Sequence, residues 1–223
     1  CIETLTGLNM AEIRLDKMNL GSGTVRSTAI KRIFSQPLTL IAACRSGPYN
    51  EEEKEKILMA AIEAGASFVD VEIEGGEECK KRIVQKARAK GCKIIISFHN
   101  YKKTPSTAEL VQIVDWCFQS GADIVKIACM VHTDKDNARL LGLLDNERKM
   151  IVIGMGVKGR ITRIVAPMLG SIFTFASSEK GKVFRWGSGF WNKYKEQVYS
   201  EKDNNFAVES WHNYLPVSDE INA

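Results

Sequence analysis

The chain has 223 residues, of which 44% are hydrophobic and 26% charged, a balance typical of a folded globular protein rather than a disordered one. Its 31 basic and 27 acidic residues are scattered along the chain and give a net charge of +4, which argues against a nucleic-acid-binding stripe and suits a small anionic substrate. There is no apolar stretch long enough to span a bilayer and no charged-then-apolar leader, so we expect neither membrane insertion nor secretion.

Short apolar, β-branched runs alternate with helical patterns along most of the chain. Strands are predicted over residues 11–15, 38–44, 68–73, 93–98, 124–130, 150–155 and 171–176. Helices are predicted over residues 24–34, 51–64, 77–89, 107–119 and 136–144. Gly65, Gly91 and Gly121 follow three of these helices, where a left-handed cap is expected. Repeated strand–helix units predict an α/β fold of parallel strands, either an open doubly wound sheet or a closed barrel.

Charged residues within the strands favour the barrel. Glu12, Arg14 and Asp16 alternate along one predicted strand, and Asp70 and Glu72 alternate along another. Such residues can neutralise one another and face a ligand inside a barrel, whereas they would be costly against the covering helices of an open sheet. We therefore predict a (β/α)8 TIM barrel.

Only seven strands are visible in the pattern. Residues 1–8 read as part of a helix, so we expect the first strand of the barrel to lie upstream of residue 1 and the chain to be truncated. Residues 1–178 are predicted to form the catalytic barrel domain. Residues 179–223 form an atypical aromatic and charged tail, either part of that domain or poorly ordered, with helical potential around 190–199.

The six cysteines include no Cys-x-x-Cys pair, and several lie inside apolar runs where a reduced cysteine packs as a small hydrophobe. This usage predicts a reducing, cytoplasmic setting.

Lys126 stands in the middle of the predicted strand 124–130. A buried lysine either finds a counter-charge or loses its proton, and a neutral amine can condense with a ketone or aldehyde to form an iminium. The alternative is a lysine that reaches solvent from an edge strand.

Active sites of barrels gather at the carboxyl ends of the strands, where Arg45 and His99 are predicted to converge with Lys126. His99 could transfer a proton at the carbon next to an iminium, or it could simply cap its strand. Arg163, at the start of a later helix, could hold a carboxylate or could be a solvated helix residue.

Several motifs together resemble the type I 3-dehydroquinate dehydratases, from the first residues to about Ser178. They are Glu12-x-Arg14-x-Asp16, Arg45, Asp70-x-Glu72, Ser97-Phe98-His99-Asn100-Tyr101 with Thr104-Pro105, 121–128 around Lys126, Met155-Gly156 with Gly159 and Thr162-Arg163, and Gly170-Ser171 with Thr174-Phe175. The resemblance implies dehydration of 3-dehydroquinate in the shikimate pathway, without metal or cofactor, by a homodimer.

The resemblance also implies a role for each motif residue. Lys126 would form the Schiff base and His99 would transfer the proton. The expected substrate-binding residues are Glu12, Arg14, Arg45 and Arg163. The expected supporting residues are Asp70, Glu72, Met155 and Phe175.

Two departures from the family pattern stand out. Many members carry a glutamate shortly after the Arg45 position, as partner of the histidine, where this chain reads Ser46-Gly47-Pro48-Tyr49-Asn50; Glu51 either substitutes or opens the next helix. The family's Pro-Gly-Gln lid motif is missing from 180–188. One codon choice for 182–188, read two nucleotides on, would encode Gly-Ile-Pro-Val-Gly-Gln, so a shifted reading frame is one hypothesis for the tail.

Two other functions stay open from the sequence. A class I aldolase would use the same buried lysine on a phosphorylated sugar, although Gly154-Met155-Gly156 is a weak phosphate-loop signal. A catalytically weak or inactive domain would keep only binding.

Overall fold

A computed structural model describes residues 10–21, 23–45, 47–177 and 206–209. The strands are β1 (Met10–Arg14), β2 (Thr39–Ala43), β3 (Phe68–Glu72), β4 (Lys93–Asn100), β5 (Ile124–Met130), β6 (Met150–Met155), β7 (Thr174–Ser177) and β8 (Phe206–Glu209). The helices are α1 (Gly23–Phe34), α2 (Glu51–Glu63), α3 (Glu77–Lys90), α4 (Thr107–Gln119), α5 (Asp134–Gly142), α6 (Gly156–Gly159) and α7 (Thr162–Met168). None of these helices is long and apolar enough to cross a bilayer.

The strands form one parallel sheet in the order β6-β5-β4-β3-β2-β1-β8-β7. Its two end strands lie side by side, because the Ile172 N–H donates to the Met150 carbonyl over 2.9 Å and the Val152 N–H donates to the Ser171 hydroxyl over 3.3 Å. The sheet is thus curved into a barrel with helices outside, as predicted.

Each predicted strand and helix is present, most with ends shifted by one to three residues. The strand predicted over 11–15 was wrong at its end. It stops at Arg14, and Asp16 lies in a 3-10 turn, Leu15–Lys17. The strand predicted over 171–176 begins only at Thr174. A helix with Arg163 at its start was predicted without bounds and is α7, whereas α6 was not predicted, because it has only four residues.

The strand β8 was also not predicted. It pairs with β1 and β7 and so occupies a place in the ring between them. A four-residue segment carries too little periodicity to be recognised, and its neighbours in the sheet decide its conformation. The segments predicted to be helical over 1–8 and around 190–199 lie outside the described residues.

Side chains alternate between the two faces of the sheet. The outward face packs against the helices in a large apolar core that includes Ile13, Val69, Ile94, Ile96 and Ile127. A second, smaller apolar cluster lies inside the barrel; it contains Ile41, Ile95, Ile124, Ala128, Ile151, Ile153, Phe173 and Phe175, with Met10, Phe68, Met155 and Ile172 partly buried against it. The charged residues are inserted into this inner face.

A close backbone contact shapes the chain after β6. A Cβ on Gly159 would lie 2.3 Å from the Gly154 carbonyl carbon, and one on Gly154 would lie 2.8 Å from the Gly159 Cα. Only glycine fits at both positions. This contact folds α6 back over the end of β6 and leads the chain into α7, which carries Arg163.

Candidate active site

Lys126 lies inside the barrel and is 1% exposed. Its Nζ donates to Glu12 Oε2 over 3.0 Å and to Asp70 Oδ2 over 3.1 Å. The same nitrogen lies 3.9 Å from the centre of the Phe175 ring, a cation–π distance. The lysine therefore has its counter-charges inside the barrel and does not reach solvent from an edge.

Asp70 is shared by two cations. Its Oδ2 accepts from Lys126 and, over 2.8 Å, from Arg45 Nη2, while its Oδ1 accepts from the Ser97 hydroxyl over 2.5 Å. Burial alone would raise the pKa of Asp70, but the charges of Arg45 and Lys126 outweigh it and hold that pKa below its usual range. Asp70 is therefore a carboxylate at neutral pH and can stabilise both cations.

His99 lies at the mouth of the barrel, two residues beyond Ser97 on the same face of β4. Its Nδ1 is 3.3 Å from Arg45 Nη1, and its ring stacks on Tyr101 with centroids 6.0 Å apart. A guanidinium has only donors, so this contact requires a lone pair on Nδ1 and places the proton of the neutral ring on Nε2. Arg45, His99 and Lys126 thus converge as the sequence predicted.

The protonation of His99 follows from its surroundings. Burial, followed by the positive charges of Arg45 and Lys126, holds the pKa of His99 well below its ordinary value of 6.5, against the opposing charge of Asp70. Arg14 adds a smaller contribution in the same lowering direction. The imidazole is therefore neutral at physiological pH, the form that can accept a proton.

We expect the His99 resonance in NMR spectra to titrate well below pH 6.5, because the folded site disfavours imidazolium. The chain has three histidines, so the signal is identified by its loss in His99→Ala. The unfolded chain binds a proton at this position below about pH 6.5 while the folded chain does not, so this residue lowers stability as the pH falls through that range. A midpoint at or above pH 6.5 would show that the folded site does not disfavour the imidazolium form of His99.

Arg14 and Asp16 form a buried pair beside this cluster. Arg14 Nε and Nη2 donate to the two carboxylate oxygens of Asp16 over 2.9 and 2.7 Å. Asp16 Oδ1 also accepts from the backbone N–H of Arg45 over 3.1 Å. Asp16 therefore ties the end of β1 to the end of β2 and orients Arg14. The alternating charges in the sequence predicted that Asp16 faces the inside of the barrel but did not predict its hydrogen bond to the Arg45 backbone.

Arg163 extends toward the carboxyl end of β7. It is the second residue of α7, and its Nη1 donates to the Phe175 carbonyl over 2.7 Å. This bond joins Arg163 to the backbone of Phe175, the residue whose ring contacts Lys126. Met155, the last residue of β6, packs partly buried against the same inner cluster.

Glu72 contacts two cations, and Glu51 opens a helix. Glu72 Oε1 lies 3.7 Å from Arg45 Nη1, and its Oε2 accepts from Lys54 over 3.4 Å. Glu51 opens α2, after the capping residue Asn50, and its Oε1 accepts from the Gly76 N–H over 3.0 Å. The helix-opening interpretation of Glu51 is therefore confirmed, and His99 Nδ1 contacts Arg45.

Two hollows lie away from this cluster. A cavity of about 20 Å³, the size of one water, lies between α2 and α3 near Cys44 and Cys79. An open groove of about 490 Å³ follows α4 past Phe98 and Trp116. Neither is lined by Lys126 or His99, so converging charges rather than cavity volume define the candidate site. Within the described ranges, no group of three or more His, Cys, Asp or Glu residues is placed to hold a metal ion.

The family model for type I 3-dehydroquinase matches residues 2–185. The chain belongs to this family. Among curated members, it is 38% identical to the 3-dehydroquinate dehydratase of Methanocaldococcus jannaschii over 181 residues, covering 78% of this chain and 79% of the relative. It is 35% identical to that of Methanococcus maripaludis over 201 residues, covering 87% of this chain and 88% of the relative.

Solved type I 3-dehydroquinases share the fold. The Clostridium difficile enzyme, solved with covalent modified comenic acid, is 25% identical and superposes with a TM-score of 0.74 over 80% of this chain and 79% of its own. The Aquifex aeolicus enzyme, 24% identical, superposes with a TM-score of 0.73 over 88% of this chain and 90% of its own. The predicted fold and family are thereby confirmed.

Proposed function

We propose that this 3-dehydroquinase family member converts 3-dehydroquinate to 3-dehydroshikimate in the shikimate pathway through a Schiff base at Lys126. The observation that carries the proposal is the buried Lys126 amine, held by two carboxylates inside the barrel, one of which also binds the Arg45 that contacts the neutral His99. Family membership supplies the substrate. The covalent modified ligand in the Clostridium difficile relative is consistent with covalent chemistry in this fold.

The proposed reaction begins when the Lys126 ammonium gives a proton to the Glu12 carboxylate that it contacts and the free amine attacks the substrate ketone. The same proton then passes to the carbinolamine hydroxyl. The carbinolamine loses one water to give an iminium, which withdraws electrons and acidifies the adjacent carbon. His99 removes a proton from that carbon and returns it to the departing hydroxyl, which leaves as water, and hydrolysis of the imine consumes one water. The balance is one water lost per substrate, and no step requires a metal or an organic cofactor.

Arg45 links binding to this proton transfer. In the free site, the unprotonated Nδ1 of His99 faces Arg45 Nη1. A substrate hydroxyl or carboxylate that takes a hydrogen bond from Arg45 competes with that contact and frees His99 to act as a base. Arg14 and Glu12 would contact substrate hydroxyls from β1, while Glu72, Met155 and Phe175 would line and support the site.

Arg163 is proposed to hold the substrate carboxylate. We expect Arg163→Lys to raise KM for 3-dehydroquinate by about ten- to a hundredfold, because lysine keeps the charge but loses the two parallel bonds of the guanidinium. Steady-state kinetics measures the effect, and Arg148→Lys is the matched control, since Arg148 pairs with Asp115 on the surface. A KM unchanged in Arg163→Lys would move the carboxylate site elsewhere, with Arg45 as the next candidate.

Turnover of 3-dehydroquinate and borohydride trapping of the Lys126 imine together test the proposed function. Robust formation of the conjugated product from 3-dehydroquinate, with borohydride-dependent labelling of Lys126, would support it. Labelling with phosphorylated aldoses but not with 3-dehydroquinate would favour an aldolase. No labelling with any carbonyl compound would indicate an inactive domain.

We also infer a cytoplasmic homodimer. The cytoplasmic assignment is supported by the five described cysteines, which are all unpaired. The dimer is inferred from the family resemblance, and a sedimentation mass equal to one chain at micromolar concentration would contradict it.

A further inference from the structure

Ser97 occupies a fully buried position among charged side chains. Its backbone lies opposite Lys126 in the β4–β5 register, on the inner face of the barrel. Its hydroxyl donates to Asp70 Oδ1 over 2.5 Å and accepts from Arg45 Nη1 over 2.8 Å. Arg45 Nη1 is also the atom that lies 3.3 Å from His99 Nδ1. One hydroxyl therefore connects the partner of the lysine to the partner of the histidine.

We propose that Ser97 is a positioning residue for the reaction, which fixes the Asp70 carboxylate against Lys126 and the Arg45 guanidinium against His99. This inference rests on the proposed function. Asp70 Oδ2 serves both Arg45 and Lys126, and the bond from Ser97 to Oδ1 sets the rotation of the carboxylate plane. Only a group that is both donor and acceptor can make the two contacts at once.

Removal of the hydroxyl would act on both sides of the site. Asp70 Oδ1 would lose its donor, so the carboxylate could turn and draw Oδ2 away from Lys126. Arg45 Nη1 would lose its acceptor and move toward Glu72 Oε1, which is already 3.7 Å away. That movement lengthens the contact with His99. Imine formation and proton transfer would both slow, although the Ser97 hydroxyl binds Asp70 and Arg45 rather than the lysine amine or the imidazole.

The test compares Ser97→Ala with Ser97→Thr, which restores the hydroxyl. The control is Ser171→Ala, which removes another buried serine hydroxyl that accepts from the Val152 N–H and donates to the Phe173 carbonyl. With 3-dehydroquinate, we expect Ser97→Ala to lower kcat and the rate of borohydride-trappable imine formation about tenfold, with a smaller change in KM from the displaced Arg45. Ser97→Thr should recover most of the loss, and Ser171→Ala should retain wild-type kinetics.

The His99 titration gives a readout that does not depend on turnover. Burial and the charges of Arg45, Lys126 and Arg14 lower its midpoint while Asp70 raises it, so withdrawal of Arg45 in Ser97→Ala should raise the midpoint above that of the wild type. The inference would be overturned by a folded Ser97→Ala variant whose kcat and His99 midpoint both match those of the wild type. A lowered melting temperature alone would show that Ser97 has only a structural role. A shifted midpoint in a protein whose wild type does not turn over 3-dehydroquinate would instead overturn the proposed function and leave the positioning role standing.

Discussion

Borohydride added with 3-dehydroquinate should fix ligand mass irreversibly on the peptide that contains Lys126, and Lys126→Arg should lose both this label and turnover. The guanidinium keeps the positive charge between Glu12 and Asp70, so the protein should fold, but it does not shed a proton to become a nucleophile. We expect turnover to fall by at least about a thousandfold, as it does when a covalent nucleophile is removed. Peptide mass spectrometry and steady-state kinetics measure the two effects.

The arginine variant is more informative than Lys126→Ala. Alanine would leave the carboxylates of Glu12 and Asp70 buried without the lysine cation. Removal of one partner from a buried ion pair lowers the free energy of unfolding by about 3–5 kcal/mol. Loss of activity in Lys126→Ala could then reflect unfolding.

Lys80 provides the control for burial. It is another fully buried lysine, but it lies on α3 outside the barrel, pairs with Glu77 over 2.8 Å and has its Nζ 5.0 Å from the centre of the Trp116 ring. If burial alone made a lysine reactive, Lys80 would be labelled as well. Label on Lys80, or on the loop residues Lys102 and Lys103, would show that Lys126 is structural and that the proposed mechanism is wrong.

The strands and the residues on them were predictable because parallel barrel strands leave strong local signals. Residues 124–130 form an apolar run interrupted by one lysine, and the observed β5 has the same bounds. His99 follows a predicted strand, and period-two alternation correctly placed Asp70 and Glu72 on one face. The convergence of Arg45, His99 and Lys126 then follows from the rule that the carboxyl ends of parallel strands meet at one end of a barrel.

The individual contacts were not predictable, since each joins residues far apart in the chain. The family pattern implied a glutamate partner for the histidine that this chain lacks at the usual place, and the described contact of His99 is with Arg45. Ser97 was seen only as part of a motif, because a serine within a strand carries no signal of its own; its position two residues before His99 could have marked it as inward-facing. Asp16 lies in a 3-10 turn rather than the strand, where alternation no longer applies.

His99→Ala should lower kcat for 3-dehydroquinate by about a hundred- to ten-thousandfold, the range typical of general acid–base catalysis. Imine formation should persist at a reduced rate, because Lys126 keeps its contacts with Glu12 and Asp70. His132→Ala is the matched control. His132 lies in the loop after β5, with its Nε2 2.7 Å from the Lys102 carbonyl oxygen, and its removal should leave turnover close to wild type.

The mass of the trapped adduct separates the steps. In the wild type, dehydration proceeds on the enzyme, so borohydride should trap a substantial share of Lys126 as the imine of the product. In His99→Ala, proton removal is the slow step, so the trapped adduct should be mostly that of the substrate, which is one water heavier. Near-normal turnover, or an adduct dominated by product in this variant, would mean that another group removes the proton. Tyr101, which stacks on the imidazole at the mouth of the barrel, would then be the first candidate.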